Sequence, residues 1–559
     1  MTLQPRTARR ALALLATVAL AAAPMTATAD TRTADTRTAA TRTAPGTVTL
    51  VNPGFEDGVS GWDTSSADGG PTAGAAGTTD AAPYGGSGHL FRHRSDGARV
   101  ITTRQDLTDL RPGWWTVRAS VRSGGAPSAT ALTLTCGGQV AGSTVPLTGD
   151  AAVQLAVSAF VTKPRARSAR GGDCTVALVT DGPAESWATM DDVVLERGRV
   201  TRDIRGGDLS GVAKNEDFGG VYRDTDGTAA DPVDLLADQG MNLARLKVWV
   251  DPADGYNETA HVVSTARRAE AAGMDVMIDF HYSDRWTDPG AQGVPSAWAG
   301  ATPSEMAGLL ADHTREVLTA LRDADVTVDY VQTGNEINPG MLWPHGQTWD
   351  VDPGDGVPEA QWDNLAAFLT AGHDAVKDIF PGAQSILHLT NINAGIGSLT
   401  WWFDEITARD VPFDLIGLSY YGYWHGTLAD LQNAVETLSS RYDRDVMVVE
   451  TAYPFTLDDD EPGHVNVIAS EDDLGPGYPA TEEGQAAAYR AVQDVVASAA
   501  GGRGLGTVYW EPAWTAVAGS GWDPADPASG NAWENQAMFG FDDRLLPLVA
   551  AELAPDPAP

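Results

Sequence analysis

Residues 243–280 read LARLKVWVDPADGYNETAHVVSTARRAEAAGMDVMIDF. An apolar run, Leu243–Val248, is followed by a helix-length stretch, Val262–Ala272, and then by a second apolar run, Val276–Phe280. Strand, helix, strand is the repeat from which parallel sheets are built. The same rhythm runs from about Thr201 to Glu552. Further strands are expected near Asp203–Leu209, Tyr330–Gly334, Ile386–Leu389, Leu415–Ser419, Val446–Val449 and Thr507–Trp510. Helices are expected at Glu305–Ala324, Leu365–Ile379, Leu428–Arg441 and Glu483–Ala499. Such repetition predicts an α/β fold, a (β/α)₈ barrel, over residues 201–552. A doubly wound open sheet is the alternative, but no Gly-rich phosphate loop follows any strand.

In a barrel, catalytic residues gather at the C-terminal ends of the strands. Those ends carry Arg245 and Trp249, His281-Tyr282-Ser283-Asp284 with Trp286, and Asn335-Glu336. Then come His388, Tyr420-Tyr421 with Trp424 and His425, Glu450, and Trp510-Glu511. Glu336 ends the fourth strand and Glu450 the seventh, so the barrel can set them on opposite sides of one cleft. Glycoside hydrolysis requires such a pair: one carboxylic acid protonates the departing oxygen, and one carboxylate attacks or activates water. Taken singly, each is a solvated rim residue as readily as a catalyst; the joint placement carries the argument.

Working outward, Met1–Ala29 has a basic start, an apolar run and an Ala27-Thr28-Ala29 cleavage site, the pattern of a signal peptide and hence of a secreted protein. Residues 30–47 form a Thr/Ala/Arg-rich linker. Residues 48–197 hold short alternating runs such as Trp115–Val121, Ala131–Cys136, Ala152–Val161 and Thr175–Val179, which predict an all-β sandwich. The two cysteines, Cys136 and Cys174, both fall there, either bridged or as separate buried thiols. The formal net charge of −38 repels nucleic acid and anionic membrane surfaces and suits a neutral polymer substrate. Seventeen Trp residues supply faces for sugar stacking or for core packing. In the sandwich the stacking candidates are Trp62, Trp114, Trp115 and Trp187. The expected state is a monomer.

Residues 206–552 resemble glycoside hydrolase family 53, the endo-β-1,4-galactanases. The resemblance lies in Gly219–Asp224, Arg245–Pro252, Asp279–Asp284, Asp288–Gly290, Gly334–Ile337, Gly340–Pro344, Gly417–Tyr421 with Trp424–Gly426, and Val449–Tyr453. It implies a retaining double displacement on β-1,4-galactan, with Glu336 as acid/base, Glu450 as nucleophile and no cofactor needed for the chemistry. It further implies that Asn335 bonds the sugar 2-OH, that Tyr420 orients the nucleophile, and that His281, Trp286, His388 and Trp510 line the cleft. Arg245, on a neighbouring strand, is expected to favour the nucleophile's charge.

The family's loop after the seventh strand often holds calcium, which implies a structural site at Asp460, His464 and Asn466, with Asn531 and Glu534. Pro462 departs from the family, which often has an acid there, and Asn531 and Glu534 replace a Ser and an Asp. The opening Asn52–Glu56 and closing Met190–Val193 of the sandwich resemble galactose-binding-like jelly-roll modules, in which the opening Glu and closing Asp help hold calcium. Two rival functions stay open: another retaining β-glycanase of the same clan, a mannanase or endoglucanase, and a non-catalytic glycan-binding wall protein.

Overall fold

Val153–Val161 alternates buried and half-buried residues without a break. Successive strand side chains point to opposite faces, so one face of this strand lies on a core. The computed structural model describes residues 48–558, apart from 71, 73–75, 80–88, 94–98, 126–129, 149–150, 163–171, 461–463 and 476. The segments read as signal peptide and linker lie outside the described residues. Among the described residues, no helix is long and apolar enough to cross a membrane.

Among the described residues, two five-stranded antiparallel sheets make the N-terminal region. One runs Asp63–Ser66, Arg99–Leu110, Gly172–Gly182, Ala131–Cys136, Gln139–Thr144 in spatial order. The other runs Ala76–Thr79, His89–His93, Trp187–Arg197, Gly113–Gly124, Val153–Val161. Their inner faces supply Trp62, Trp115, Val117, Leu132, Leu134, Leu155 and Leu178, all buried. Cys136 and Cys174 are direct cross-strand partners and form a disulfide. Two of the four stacking candidates are therefore core: Trp62 packs on Phe55, and Trp115 gives its indole N–H to Arg111 O. Trp114 sits against Phe160 and under the Arg199 guanidinium, 4.2 Å from the ring centroid. At the closing strand, burial and the charge of Glu56 push the Asp192 carboxyl up.

The sandwich docks on helices Leu428–Tyr442 and Glu482–Ala497 of the following region. The Gln432 side-chain amide accepts from Gln154 N at 2.7 Å and donates to Gln154 O at 2.8 Å, so it mimics one more strand residue. Ser143 donates to the Asp494 carboxylate at 2.6 Å, and Arg118 donates to Ser498 O at 2.7 Å.

Eight strands close the barrel in chain order: Ile204–Asp208, Leu243–Val248, Asp275–Phe280, Tyr330–Thr333, Gln384–Leu389, Leu415–Ser419, Asp445–Thr451 and Gly504–Tyr509. All neighbouring pairs are parallel. Helices return the chain outside, and their starts are written locally. Thr302 and Glu305 form a capping box before Pro303–Asp323, as do Thr427 and Asp430 before Leu428–Tyr442.

The barrel interior changes character along its axis. Its floor is apolar: Ile204, Leu243, Met277, Ile386, Leu415, Met447, Val449 and Val508 pack in one buried cluster. Residues two apart on a strand share a face. Two positions above Leu243, Met277 and Ile386 stand Arg245, Asp279 and His388; above the first two of these stand Lys247 and His281. The same strands that build the floor thus deliver ionisable groups to the open end.

Candidate active site

Arg245 is the hub of the upper interior. It is 1% exposed. Its Nη1 donates to Asp208 at 2.7 Å, and its Nη2 donates to Asp279 and Glu450 at 2.8 Å and to Asn335 Oδ1 at 3.0 Å. Strand two is not adjacent to strand seven in the barrel. The expectation that Arg245 neighbours the nucleophile's strand is corrected: the guanidinium reaches Glu450 across the barrel interior. Despite burial, Arg245 and His281 hold Asp279 below its ordinary value.

Glu450 owes its direction to an irregularity. Val449 belongs to the floor cluster, so strict alternation would turn Glu450 away from it. The pairing register shifts between strands six and seven at Leu418/Ser419, and between strands seven and eight at Val448/Thr451. Such bulges re-aim a side chain. The Glu450 carboxylate then meets Arg245 through Oε1 and accepts the Tyr421 hydroxyl at 3.1 Å through Oε2. Tyr420, which was expected to orient the nucleophile, instead donates to Gly426 O at 3.1 Å. Adjacent residues face opposite ways, and here the tyrosine one place further along is the one that reaches Glu450.

Glu336 follows Gly334-Asn335 in a left-handed turn, φ 49°, a conformation a non-glycine residue holds only when its surroundings impose it. Strand five imposes it: Ile337 N donates to His388 O at 3.0 Å. Glu336 Oε1 meets Ser419 Oγ at 2.6 Å. Burial and the nearby Glu450 charge push the Glu336 carboxyl up. Burial raises Glu450 as well, but Arg245 and Tyr421 oppose that rise. Glu336 has only neutral hydroxyl partners on that side of the balance, so it holds the proton in preference to Glu450.

His281 and His388 lie beneath the cleft rather than on its wall. The His281 Nε2–H faces Asp279 at 3.0 Å, and its Nδ1 accepts from Thr287 N at 3.0 Å, so both nitrogens are spent. His388 is fully buried between Asn335 and Ser419. Trp286 and Trp510 are half-buried and do form a wall, with centroids 5.9 Å apart, alongside Trp514 and Trp533. Lys247 Nζ stands 3.8 Å from the Trp286 ring centroid and binds Glu511 at 2.7 Å. Asp208, Asp279, Ser419 and Lys247 have no assigned role in the sequence reading, and Tyr421 and Glu511 stand there only as strand-end residues without one. Residue parity from the floor positions finds the first two, but no sequence signal separates Tyr421 from Tyr420.

The calcium candidates gather in one region without closing a cage. Asp460 N donates to Glu534 Oε1 at 2.5 Å, Asn531 Oδ1 accepts from Trp533 N at 2.9 Å, and the His464 ring packs by Gly530 and bonds Ala528 O at 3.1 Å. Asn466 donates to Asp459 at 2.7 Å, while its own Oδ1 is buried and accepts nothing among the described residues. That orphaned oxygen, in a set of oxygen donors, fits a hard cation. Among the described residues, no three His, Cys, Asp or Glu side chains come together as metal ligands. Pro462 lies outside the described residues.

Glycosyl hydrolase family 53 matches residues 204–551. An uncharacterized protein of Niallia circulans is 37% identical over 348 residues, covering 62% of this chain and 93% of that protein. The arabinogalactan endo-beta-1,4-galactanase of Cellvibrio japonicus is 36% identical over 344 residues, covering 60% and 85%. The solved GH53 catalytic domain of Ignisphaera aggregans is 36% identical, with a TM-score of 0.58, and the match covers 63% of this chain and 95% of that one. With its barrel matched from the first strand to the last helix, the chain belongs to glycosyl hydrolase family 53.

Proposed function

We propose that the chain is an endo-β-1,4-galactanase that cleaves β-1,4-galactan, as in pectic arabinogalactan, by double displacement. The carrying observation is the unequal environment of the two carboxyls. Glu450 is bonded to a guanidinium and a phenol, which keep it ionised for attack on the anomeric carbon. Among the described residues Glu336 has no cation partner, and it keeps a proton for the leaving oxygen. After the leaving group departs, Glu336 takes a proton from water, which then opens the ester on Glu450. Asn335 spends one amide hydrogen on Thr287 O at 2.8 Å, leaving the other for the sugar 2-OH. The half-buried faces of Trp286 and Trp510 supply the stacking wall.

In this reading the protein is secreted and monomeric. Calcium in the loop at 458–466 is a structural ion held by Asp460, His464, Asn466, Asn531 and Glu534, with no part in bond cleavage. The sandwich adds substrate affinity. Comparing reducing ends released from β-1,4-galactan, mannan and cellulose tests the substrate: release from galactan alone is expected. Preference for mannan or cellulose would favour a different clan activity, and no release from any would favour a binding protein.

A further inference from the structure

The chain leaves the turn that carries Glu336 and then comes back to it. Gly340-Met341 and Gly346-Gln347 pair as a two-stranded antiparallel hairpin. Its strands lie so close that a Cβ on Gly340, φ 89°, would strike Gly346 O. Beyond the hairpin, Thr348 N donates to Pro339 O at 3.0 Å, and Thr348 Oγ1 donates to Asn338 O at 2.7 Å. Asn338 is itself tied to the end of strand five: its Oδ1 accepts from Thr390 N at 2.8 Å, and its Nδ2 donates to Thr390 O at 2.9 Å. Residue 349 is thereby brought alongside the segment just after Glu336, on the side of strand five.

That residue is a tryptophan, 43% exposed. A lone exposed Trp is ordinary on a protein surface. This one stands on a braced loop. Gln347 is fully buried, and its amide spends both ends on the segment that follows. Its Nε2 donates to Val357 O at 2.7 Å and to Glu359 O at 2.9 Å, and its Oε1 accepts from Val351 N at 3.4 Å. Gln361 N closes the loop on Gln347 O at 2.7 Å. The residue after Trp349 adds a second observation. Asp350 Oδ1 is buried and accepts no hydrogen bond among the described residues. A buried carboxylate oxygen left so is costly until a donor arrives. A flat indole face next to an unfilled acceptor suits a sugar ring, whose C–H groups meet the one and whose hydroxyl meets the other.

The place of this pair in the cleft follows from the reaction. Glu336 gives its proton to the departing oxygen, so the leaving part of the substrate lies against the turn after strand four. Trp286 and Trp510 follow strands three and eight, and strand eight adjoins the nucleophile's strand seven. Their wall therefore serves the sugar held on Glu450, while the loop at 348–361 borders the side from which the leaving group departs. We propose that Trp349 and Asp350 form a subsite for a galactosyl residue of the leaving group, Trp349 by stacking and Asp350 by accepting a hydroxyl hydrogen. The subsite rests on the galactanase reading and extends it across the scissile bond. It acts by holding the polymer, because the sugar it touches is one the enzyme releases.

The test compares kcat/KM of the full chain on β-1,4-galactan and on β-galactobiosyl fluoride, whose leaving group is a fluoride ion with nothing to place on Trp349. Wild-type turnover of both checks the galactanase reading first; its absence removes that reading and the subsite with it. The subsite is read from the ratio of the two values, in which general damage to the fold cancels. Trp349→Ala should lower the galactan-to-fluoride ratio about five- to tenfold, the scale of one aromatic stacking contact. Trp349→Phe keeps a flat apolar face and should keep most of the wild-type ratio. Asp350→Ala should lower the ratio about three- to tenfold, the scale of one hydrogen bond. An unchanged ratio in Trp349→Ala, even with both activities reduced, overturns the proposal. A ratio in Trp349→Phe as low as in Trp349→Ala contradicts stacking, and an unchanged ratio in Asp350→Ala contradicts the hydroxyl contact.

Discussion

The sandwich and the barrel bury their interiors under opposite rules. Between the two sheets the buried side chains are mostly apolar, Trp115, Val117, Leu132, Leu155 and Leu178 among them, with a disulfide and neutral polar groups such as Thr103 and Thr180; among the described residues, Arg122 and Asp191 are the buried ionisable groups of the sandwich strands. The upper barrel buries Arg245 and Lys247 against Asp208, Asp279, Glu450 and Glu511. Burying charges is costly even when they are paired, and an apolar replacement is often more stable. The apolar floor one layer below shows that this fold can pack that way. Charges at this depth mark where stability is given up for chemistry.

The comparison can be broken at Arg245. Arg245→Met leaves three carboxylates buried without their guanidinium, and about 3–5 kcal/mol of stability should go. Activity should fall by at least about a hundredfold in protein that still folds, since a bond to the ionised nucleophile is lost. Trp115→Ala in the sandwich core should cost a similar 3–5 kcal/mol through its cavity, yet leave kcat of the folded enzyme near wild type. Denaturant titrations and kcat on both variants measure this. Equal losses of kcat would erase the distinction between the regions.

Smaller changes sharpen it. Tyr421→Phe removes the hydroxyl on Glu450 and should lower kcat about 10- to 100-fold. Tyr420→Phe, whose hydroxyl bonds Gly426 O, should change kcat by less than about threefold. The reverse order would restore Tyr420 as the orienting residue.

Glu336 gives a pH signature. Its folded-state value is raised from 4.5 by burial and by Glu450, so its contribution to stability is full below 4.5 and is lost as pH rises through the folded value. Glutamine does not titrate. Glu336→Gln should therefore match the wild type in stability in acid and exceed it at mildly alkaline pH. Urea unfolding at both ends decides, and a variant less stable at high pH contradicts the assignment.

The smallest expected effect is on the loop at 458–466. EGTA should lower Tm by a few degrees through loss of a bound ion and leave kcat unchanged. An unaltered Tm would remove calcium from the account.

What was legible in the sequence follows from how each feature is encoded. Strand–helix rhythm depends on apolar spacing, so all eight strands were placed within a few residues, and Glu336 and Glu450 stood out at strand ends. The direction of Glu450 depends on a register shift that no residue type announces. His281 and His388 were read as cleft walls because a histidine at a strand end looks the same whether it faces sugar or packs below. Trp62 and Trp115 likewise read as stacking faces until the two sheets closed over them.

The central claim is that Glu450 is the nucleophile of a retaining galactanase. A 2-deoxy-2-fluoro galactobioside with a good leaving group slows breakdown of the covalent intermediate, and peptide mapping by mass spectrometry then locates the label. Stoichiometric labelling of the peptide containing Glu450, on Glu450 itself, is the expected result. Labelling of Glu336 or another residue, or turnover with inversion and no label, would contradict the account.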